Sequence, residues 1–357
     1  MADWIEYMTS NSHSTLADLR RHNGHADPFP VKFLAIGNET WGCGGNMSPD
    51  YYADVYKRFA TFIHAAGPQP VRIASGGLEA DVHWTDVMMS QAHQMMDGYS
   101  LHYYTLPTGV WEHKGPALAF PEADWISTFK RTMHIEELIN MHAAVMDHSD
   151  PEHKVGLYVD EWGTWYDPAP GSNPAFLVQQ NTLRDALLAG VNFNIFHRHA
   201  DRVRMTNIAQ LINVLQAMIL TDGPRMLRTP TYYAYLMYVP FHDATFLPID
   251  LTTPNYTVGE TSIPALSTTA ARGADGKTYV ALINLDPHRS ASVSAHLAGL
   301  TARHVSGQIL TAAAMDAHNT FEAPNSLVPA PFNGASISRD RLNVNLPAKS
   351  LVVLAID

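Results

Sequence analysis

Cysteine is almost absent from this chain: Cys43 is the only one in 357 residues. No internal disulfide can form, and nothing requires an oxidising compartment. No apolar stretch approaches the roughly 20 residues that span a bilayer, so a membrane is not an expected partner. Dense Lys/Arg runs are also missing, and 23 basic against 34 acidic residues leave a formal charge of −11. A phosphate-backbone partner needs a clustered basic face, so no nucleic acid is expected. A neutral or weakly charged substrate fits this balance better than a polyanion. The N-terminal MADWIEYM lacks the basic region and apolar run of a signal peptide, which makes the cytoplasm the expected compartment.

What is present is a chain 46% apolar and 16% charged, the composition of a compact globular protein. Residues 1–243 alternate strand-like and helix-like segments, which predicts βα units on a parallel sheet. The predicted strands are Val31–Ile36, Val71–Ala74, Gly98–Leu101, Val155–Val159 and Val203–Ala209. Ser48 and Pro49 suit the N-cap and first turn of a helix ending near Gly67. Further helices are predicted around 84–96, over 124–147 and from Pro230 to about Phe241. Leu183, Leu187, Val191 and Ile195 recur every four residues, which predicts one helix from about 176 to 200. From residue 244 the pattern becomes short alternating strands with turn residues between them, the signature of an antiparallel β-sandwich. The expected domains are therefore 1–243 and 244–357, with 312–339 a long loop.

In βα architectures, function collects where strands end and loops begin. The five predicted strand ends carry Asn38-Glu39, Ser75-Gly76-Gly77, His102 with Tyr104, Glu161-Trp162 and Gln210. Carboxylates, hydrogen-bonding side chains and aromatic rings together suit a sugar, with its hydroxyls and its flat C–H face. Glu39 and Glu161 can face each other across a pocket, and glycoside hydrolysis uses such a pair. One carboxyl assists the leaving group as an acid while the other attacks as a carboxylate.

Other features have ordinary structural explanations. Asp160 alternates with Glu161 along a strand and is expected to point away from the pocket. His197 and His199, two apart on a helix, point roughly 200° apart and cannot chelate one ion together. Met88, Met89, Met95 and Met96 read as core filling. Cys43 has no flanking base and no CxxC partner. Gln216 competes with Gln210 for the strand-end position if the register slips.

The motifs IGNETWGCGGNM (36–47), DGYSLHYY (97–104), VDEWGTWY (159–166) and HADRVRMTNIAQLINVLQ (199–216) resemble the α-L-arabinofuranosidases of glycoside hydrolase family 51. The resemblance runs along nearly the whole chain and implies a retaining (β/α)8-barrel enzyme with Glu39 as general acid/base and Glu161 as nucleophile. It implies that Asn38 binds the sugar 2-OH, and that His102, Tyr104, Trp165 and Gln210 shape the −1 subsite beside a loop carrying Trp41 and Cys43. Arabinose-containing oligosaccharides are the implied substrates, with no metal and no organic cofactor, and a homo-oligomer is expected. By the same comparison Glu39 ends barrel strand 4 and Glu161 strand 7, so strands 1–3 are absent from this chain. The expected fold is thus a partial TIM-type (β/α)8 barrel followed by a C-terminal antiparallel β-sandwich. An endo-β-glucanase or β-xylosidase of the same clan, or a catalytically impaired sugar-binding remnant, are the rival readings.

Overall fold

The computed structural model describes residues 1–300 and 302–357. Five strands, β1 (Phe33–Ile36), β2 (Val71–Ala74), β3 (Gly98–Thr105), β4 (Gly156–Thr164) and β5 (Val203–Ile208), form one sheet in chain order. β1 and β2 run parallel with Phe33 opposite Val71, and β2 pairs parallel with β3. At least one helix lies between each of these strands and the next in the chain.

Two short helices, α1 (Ala2–Thr9) and α2 (Thr15–His22), precede the sheet. Helix α3 (Pro49–Ala60) starts as expected, with the Ser48 hydroxyl accepting from the Tyr51 amide. Helix α4 (Val82–Ala92) buries Met88 and Met89 completely, in line with their reading as core. The segment expected as one helix is two, α5 (Glu122–Thr132) and α6 (His134–Ser149). Near the break the hydroxyls of Thr128 and Thr132 donate to the carbonyls of Asp124 and Thr128, at 2.6 and 2.8 Å. Such back-bonding competes with the helical ladder and bends it. Helix α7 (Leu183–Arg198) matches the fourfold apolar spacing, and Thr182 with Asp185 caps its start.

A hairpin of β6 (Ile219–Asp222) and β7 (Arg225–Arg228) precedes α8 (Pro230–Tyr238). From β8 (Thr245–Leu247) onward every regular element among the described residues is a strand. A small hairpin, β9 (Asn255–Val258) with β10 (Thr261–Pro264), leads into β11 (Leu266–Arg272) and β12 (Thr278–Asn284). Then follow β13 (Ala291–His296), β14 (Val305–Thr311), β15 (Ala330–Pro331), β16 (Ala335–Ser338), β17 (Arg341–Leu346) and β18 (Ser350–Ile356). Six of these strands make one sheet, β15-β14-β18-β12-β11-β8, and three make another, β13-β17-β16. Val280, Leu282, Val352 and Leu354 of the first sheet share an apolar cluster with Leu342, Val344 and Leu346 of the second.

The contacts divide the chain into two compact units. One gathers residues 1–103, 137–161 and 201–206; the other gathers 104–136, 162–200 and 207–357. The first is fastened at Arg202, whose side chain is only 2% exposed. Its guanidinium pairs with Asp147, donates to Asp150 Oδ2 at 2.9 Å and to the Val155 carbonyl at 3.0 Å. Burial pushes the Asp150 carboxyl up, but the amides of Val155 and Lys154 and the Arg202 charge outweigh it and hold it low.

Arg202→Met leaves the buried Asp150 uncompensated, and urea denaturation should show a loss of about 3–5 kcal/mol. The Asp150 contribution is present above the ordinary carboxylate range and disappears as pH falls through its depressed value, so the deficit of the variant should shrink in acid.

Candidate active site

The site is built around the turn that follows β1. Gly37 has φ +94° and Glu39 has φ +44°. A non-glycine residue in the left-handed region costs on the order of 1–3 kcal/mol and persists where its surroundings over-determine it. Here the amides of Gly42 and Gly44 both donate to the Glu39 carbonyl, at 2.9 and 3.0 Å, and Met47 N donates to the Thr40 carbonyl at 2.8 Å. The turn brings the Cys43 thiol to 3.2 Å from Glu39 Oε2, to which it donates. Gly44 must be glycine, because a Cβ there would lie 1.7 Å from the Asn38 carbonyl oxygen. Gly76 is equally constrained, with a Cβ 1.9 Å from the Ser100 carbonyl. Tyr52 of α3 ties the two strand ends together: its hydroxyl donates to the Ile36 carbonyl at 2.5 Å and accepts from Ser75 N at 2.7 Å.

Onto this frame β3 and β4 bring the ionisable groups. His102 Nδ1 lies 3.0 Å from Glu39 Oε1 and 3.4 Å from Glu161 Oε2, while Nε2 lies 3.3 Å from Asp160 Oδ1. Ser100 Oγ donates to the same Asp160 oxygen at 2.6 Å. One oxygen of Glu39 and one of Glu161 come within 4.8 Å of each other. Glu39, Trp41, Ser75, Gly76, Gly77, Ser100 and His102 line one small crevice.

Asp160 therefore does not point away, as strict alternation led us to expect. It shares the face of Ser100 and His102, and Glu161, one methylene longer, reaches the other edge of the same ring. His102 and Glu161 also lie inside their strands rather than just beyond them. Backbone ladders continue through polar side chains, so a polar residue does not mark a strand's end.

The charges settle around His102. Burial alone would lower its pKa, but the hydrogen bonds to Asp160 and Glu39 and the charges of Asp160 and Glu161 raise it to about 9. The imidazole is thus a cation bridging three carboxylates. Glu39 is held below the ordinary glutamate range, first by the His102 hydrogen bond, against the pull of burial, and then by the Cys43 thiol. Cys43 is pushed up in turn by its bond to Glu39. Single donor atoms of Glu39, His102 and Glu161 lie close enough to hold a metal ion. A ligating imidazole must first lose the proton on its ligand nitrogen, and in this site a carboxylate oxygen lies within 3.4 Å of each ring nitrogen of His102.

The remaining expected site residues fall in the second compact unit. Tyr104 packs edge-on against Trp165 with ring centroids 4.9 Å apart, and Trp111 also packs edge-on against Trp165 at 4.9 Å. Trp111 is 55% exposed and was not singled out from sequence, since an isolated loop tryptophan carries no pattern. Gln210 is exposed. Gln216 is instead fully buried, accepting from Thr164 N at 2.8 Å and donating to the Asp185 carbonyl at 2.9 Å. His197 and His199 turn to different partners, as their spacing requires. Burial, His242 and Arg198 push His197 down to about 4, while His199 lies 3.2 Å from Glu136. A second, larger cavity of about 980 Å³, floored by Leu266, Val280 and Leu282, contains none of the expected site residues.

Residues 160–350 match the family described as "Alpha-L-arabinofuranosidase C-terminal domain", and residues 1–115 match "Alpha-L-arabinofuranosidase 1 domain". The intracellular exo-α-L-arabinofuranosidase of Bacteroides ovatus is 44% identical over 358 residues, covering 100% of this chain and 70% of its own length. The crystal structure of the family 51 arabinofuranosidase from Xanthomonas axonopodis pv. citri superposes with a TM-score of 0.98 at 51% identity, over 100% of this chain and 72% of that one. This chain belongs to glycoside hydrolase family 51. The family 51 enzyme of Bifidobacterium longum shares the fold at a TM-score of 0.85 and 23% identity, over 99% of this chain and 73% of that one. An intracellular exo-α-(1→5)-L-arabinofuranosidase of Streptomyces lividans is 26% identical over 96% of this chain and 53% of its own length. Among family 51 structures the five-stranded parallel sheet is consistent with a partial barrel.

Titration of His102 by NMR should give a midpoint near 9, and Glu39→Gln should lower it. Because the folded value is raised, this ring's contribution to stability is full below its unfolded value of about 6.5. It is lost as pH rises through about 9.

Proposed function

We propose that the chain is a retaining, exo-acting α-L-arabinofuranosidase that releases terminal arabinofuranosyl groups from arabinose-containing oligosaccharides. The observation that carries this reading is the Glu39–Glu161 pair, which share His102 and bring one oxygen of each within 4.8 Å, the close spacing a retaining pair needs. Retaining glycosidases keep their carboxyl groups about 5–5.5 Å apart, whereas inverting ones leave about 6.5–9.5 Å for a water. Glu161 attacks the anomeric carbon, and Glu39 protonates the departing oxygen. In the second half Glu39 takes a proton from the water that opens the glycosyl–Glu161 ester. Asn38, Trp41 and Cys43 border Glu39 on its turn and supply contacts to the sugar hydroxyls and ring face.

The curated relatives named above are arabinofuranosidases, which favours this substrate over the glucan and xylan alternatives. An active site rather than an inert remnant is supported because the carboxylate pair, His102 and the Cys43 turn assemble inside one compact unit. The two antiparallel sheets that share an apolar cluster we read as the C-terminal β-sandwich. The Bacteroides and Streptomyces relatives are intracellular, and no helix among the described residues is long and apolar enough to cross a membrane. We assign this chain to the same compartment. Strand β1 ends the parallel sheet and exposes 45% of Phe33, a physical reason to expect self-association.

Hydrolysis of 4-nitrophenyl α-L-arabinofuranoside tests the reading, beside 4-nitrophenyl β-D-xyloside and a soluble β-glucan. The arabinoside should be the substrate, and Glu39→Ala and Glu161→Ala should each lose at least about 10²-fold in kcat. Preference for the xyloside, or full activity in Glu161→Ala, would sink it.

A further inference from the structure

The retaining scheme asks Glu39 to deliver a proton, yet in the free site the mobile proton sits on His102. That imidazole has a carboxylate at each nitrogen: Glu39 and Glu161 at Nδ1, Asp160 at Nε2. The groups facing it come from the turn after β1 and from β4. The end of β2 offers only Ser75, Gly76 and Gly77, none of which titrates. Asp160 is itself fixed by the 2.6 Å hydrogen bond from Ser100, two residues before His102 on β3. Ser100, Asp160, His102 and Glu39 thus form one unbroken hydrogen-bonded line.

We propose that Asp160 is a positioning residue for proton delivery, holding His102 through Nε2 so that Nδ1 passes its proton to Glu39. The assignment rests on Glu39 and Glu161 being the reacting carboxylates. In the step itself the Nδ1–H bond breaks and an Oε1–H bond forms on Glu39, across 3.0 Å. His102 is left as the neutral Nε2–H tautomer, donating to Asp160. An imidazole with a carboxylate behind it is held in one tautomer and orientation, the role such a group plays behind a catalytic histidine. Glu39 then gives this proton to the leaving oxygen as the glycosyl–Glu161 ester forms. The attacking water later returns one proton to Glu39 and thence to Nδ1, so the site ends each turnover with the protons it began with. Cys43, donating to the other oxygen of Glu39, leaves Oε1 free to face the ring.

The test compares leaving groups in Asp160→Asn. Toward phenyl α-L-arabinofuranoside, whose poor leaving group needs protonation, kcat should fall on the order of 10²-fold with KM little changed. Toward the 2,4-dinitrophenyl glycoside, which departs without help, glycosylation should stay within about twofold of the parent. The alkaline limb of kcat/KM for the poor substrate should move to lower pH, together with the NMR midpoint of His102. Ser100→Ala keeps the carboxylate but loses its anchor, and should change the same quantities in the same direction by less. That holds the proposal to account should Asp160→Asn not fold. Equal loss on both leaving groups, or an unmoved alkaline limb, with Glu161→Ala inactive, would overturn the role of Asp160 alone. Activity retained in Glu161→Ala would overturn the carboxylate pair, and the relay with it.

Discussion

A single imidazole ring holding three carboxylates is the constraint to which the rest of the site answers. Like charges this close repel strongly in a half-buried pocket, where screening by water is incomplete. Without a cation among them, one carboxylate would have to take up a proton at neutral pH or swing away. His102 supplies that cation without the length or flexibility of a lysine, and its two nitrogens fix which carboxylate sits on which side. The strand order makes this possible: β3 lies between β2 and β4, and His102 on β3 touches Asp160 and Glu161 on β4 and Glu39 on the turn after β1.

The backbone accommodates the cluster at points where no side chain is tolerated. Gly44 lets the turn close on Asn38, and Gly76 lets β2 approach the Ser100 carbonyl. The left-handed backbone of Glu39 is imposed by two amides on its own carbonyl. The carboxyl is aimed at His102 by the fold itself, a preorganisation that needs no ligand.

How much of this was legible depended on whether a feature is local. Helix α7 could be read because its fourfold apolar spacing is a property of consecutive residues. Glu39 and Glu161 stood out because each sits in a short motif next to an apolar strand, and the fold brings one oxygen of each within 4.8 Å. The break between α5 and α6 escaped because two threonine hydroxyls, unremarkable by composition, reach back along the helix. Asp160 was set aside by an alternation rule that holds for an ideal strand, and the hydroxyl that overrides it, Ser100, is 60 residues distant in sequence. Gln216 proved to be a buried partner of Thr164 and Asp185, while Gln210 stays exposed. The sequence there offers two glutamines, and only tertiary packing shows which one is buried.

Cys43 carries the only sulfhydryl of the chain, it is exposed, and its hydrogen bond ends on Glu39. Any thiol-directed reagent therefore attaches at one place, with a stoichiometry of one. Since thiolate is the reacting form and the neighbouring carboxylate disfavours it, the speed of attachment reads the charge on Glu39. The molecule thus carries its own reporter of the ionisation state of Glu39, readable by mass spectrometry with no substrate present.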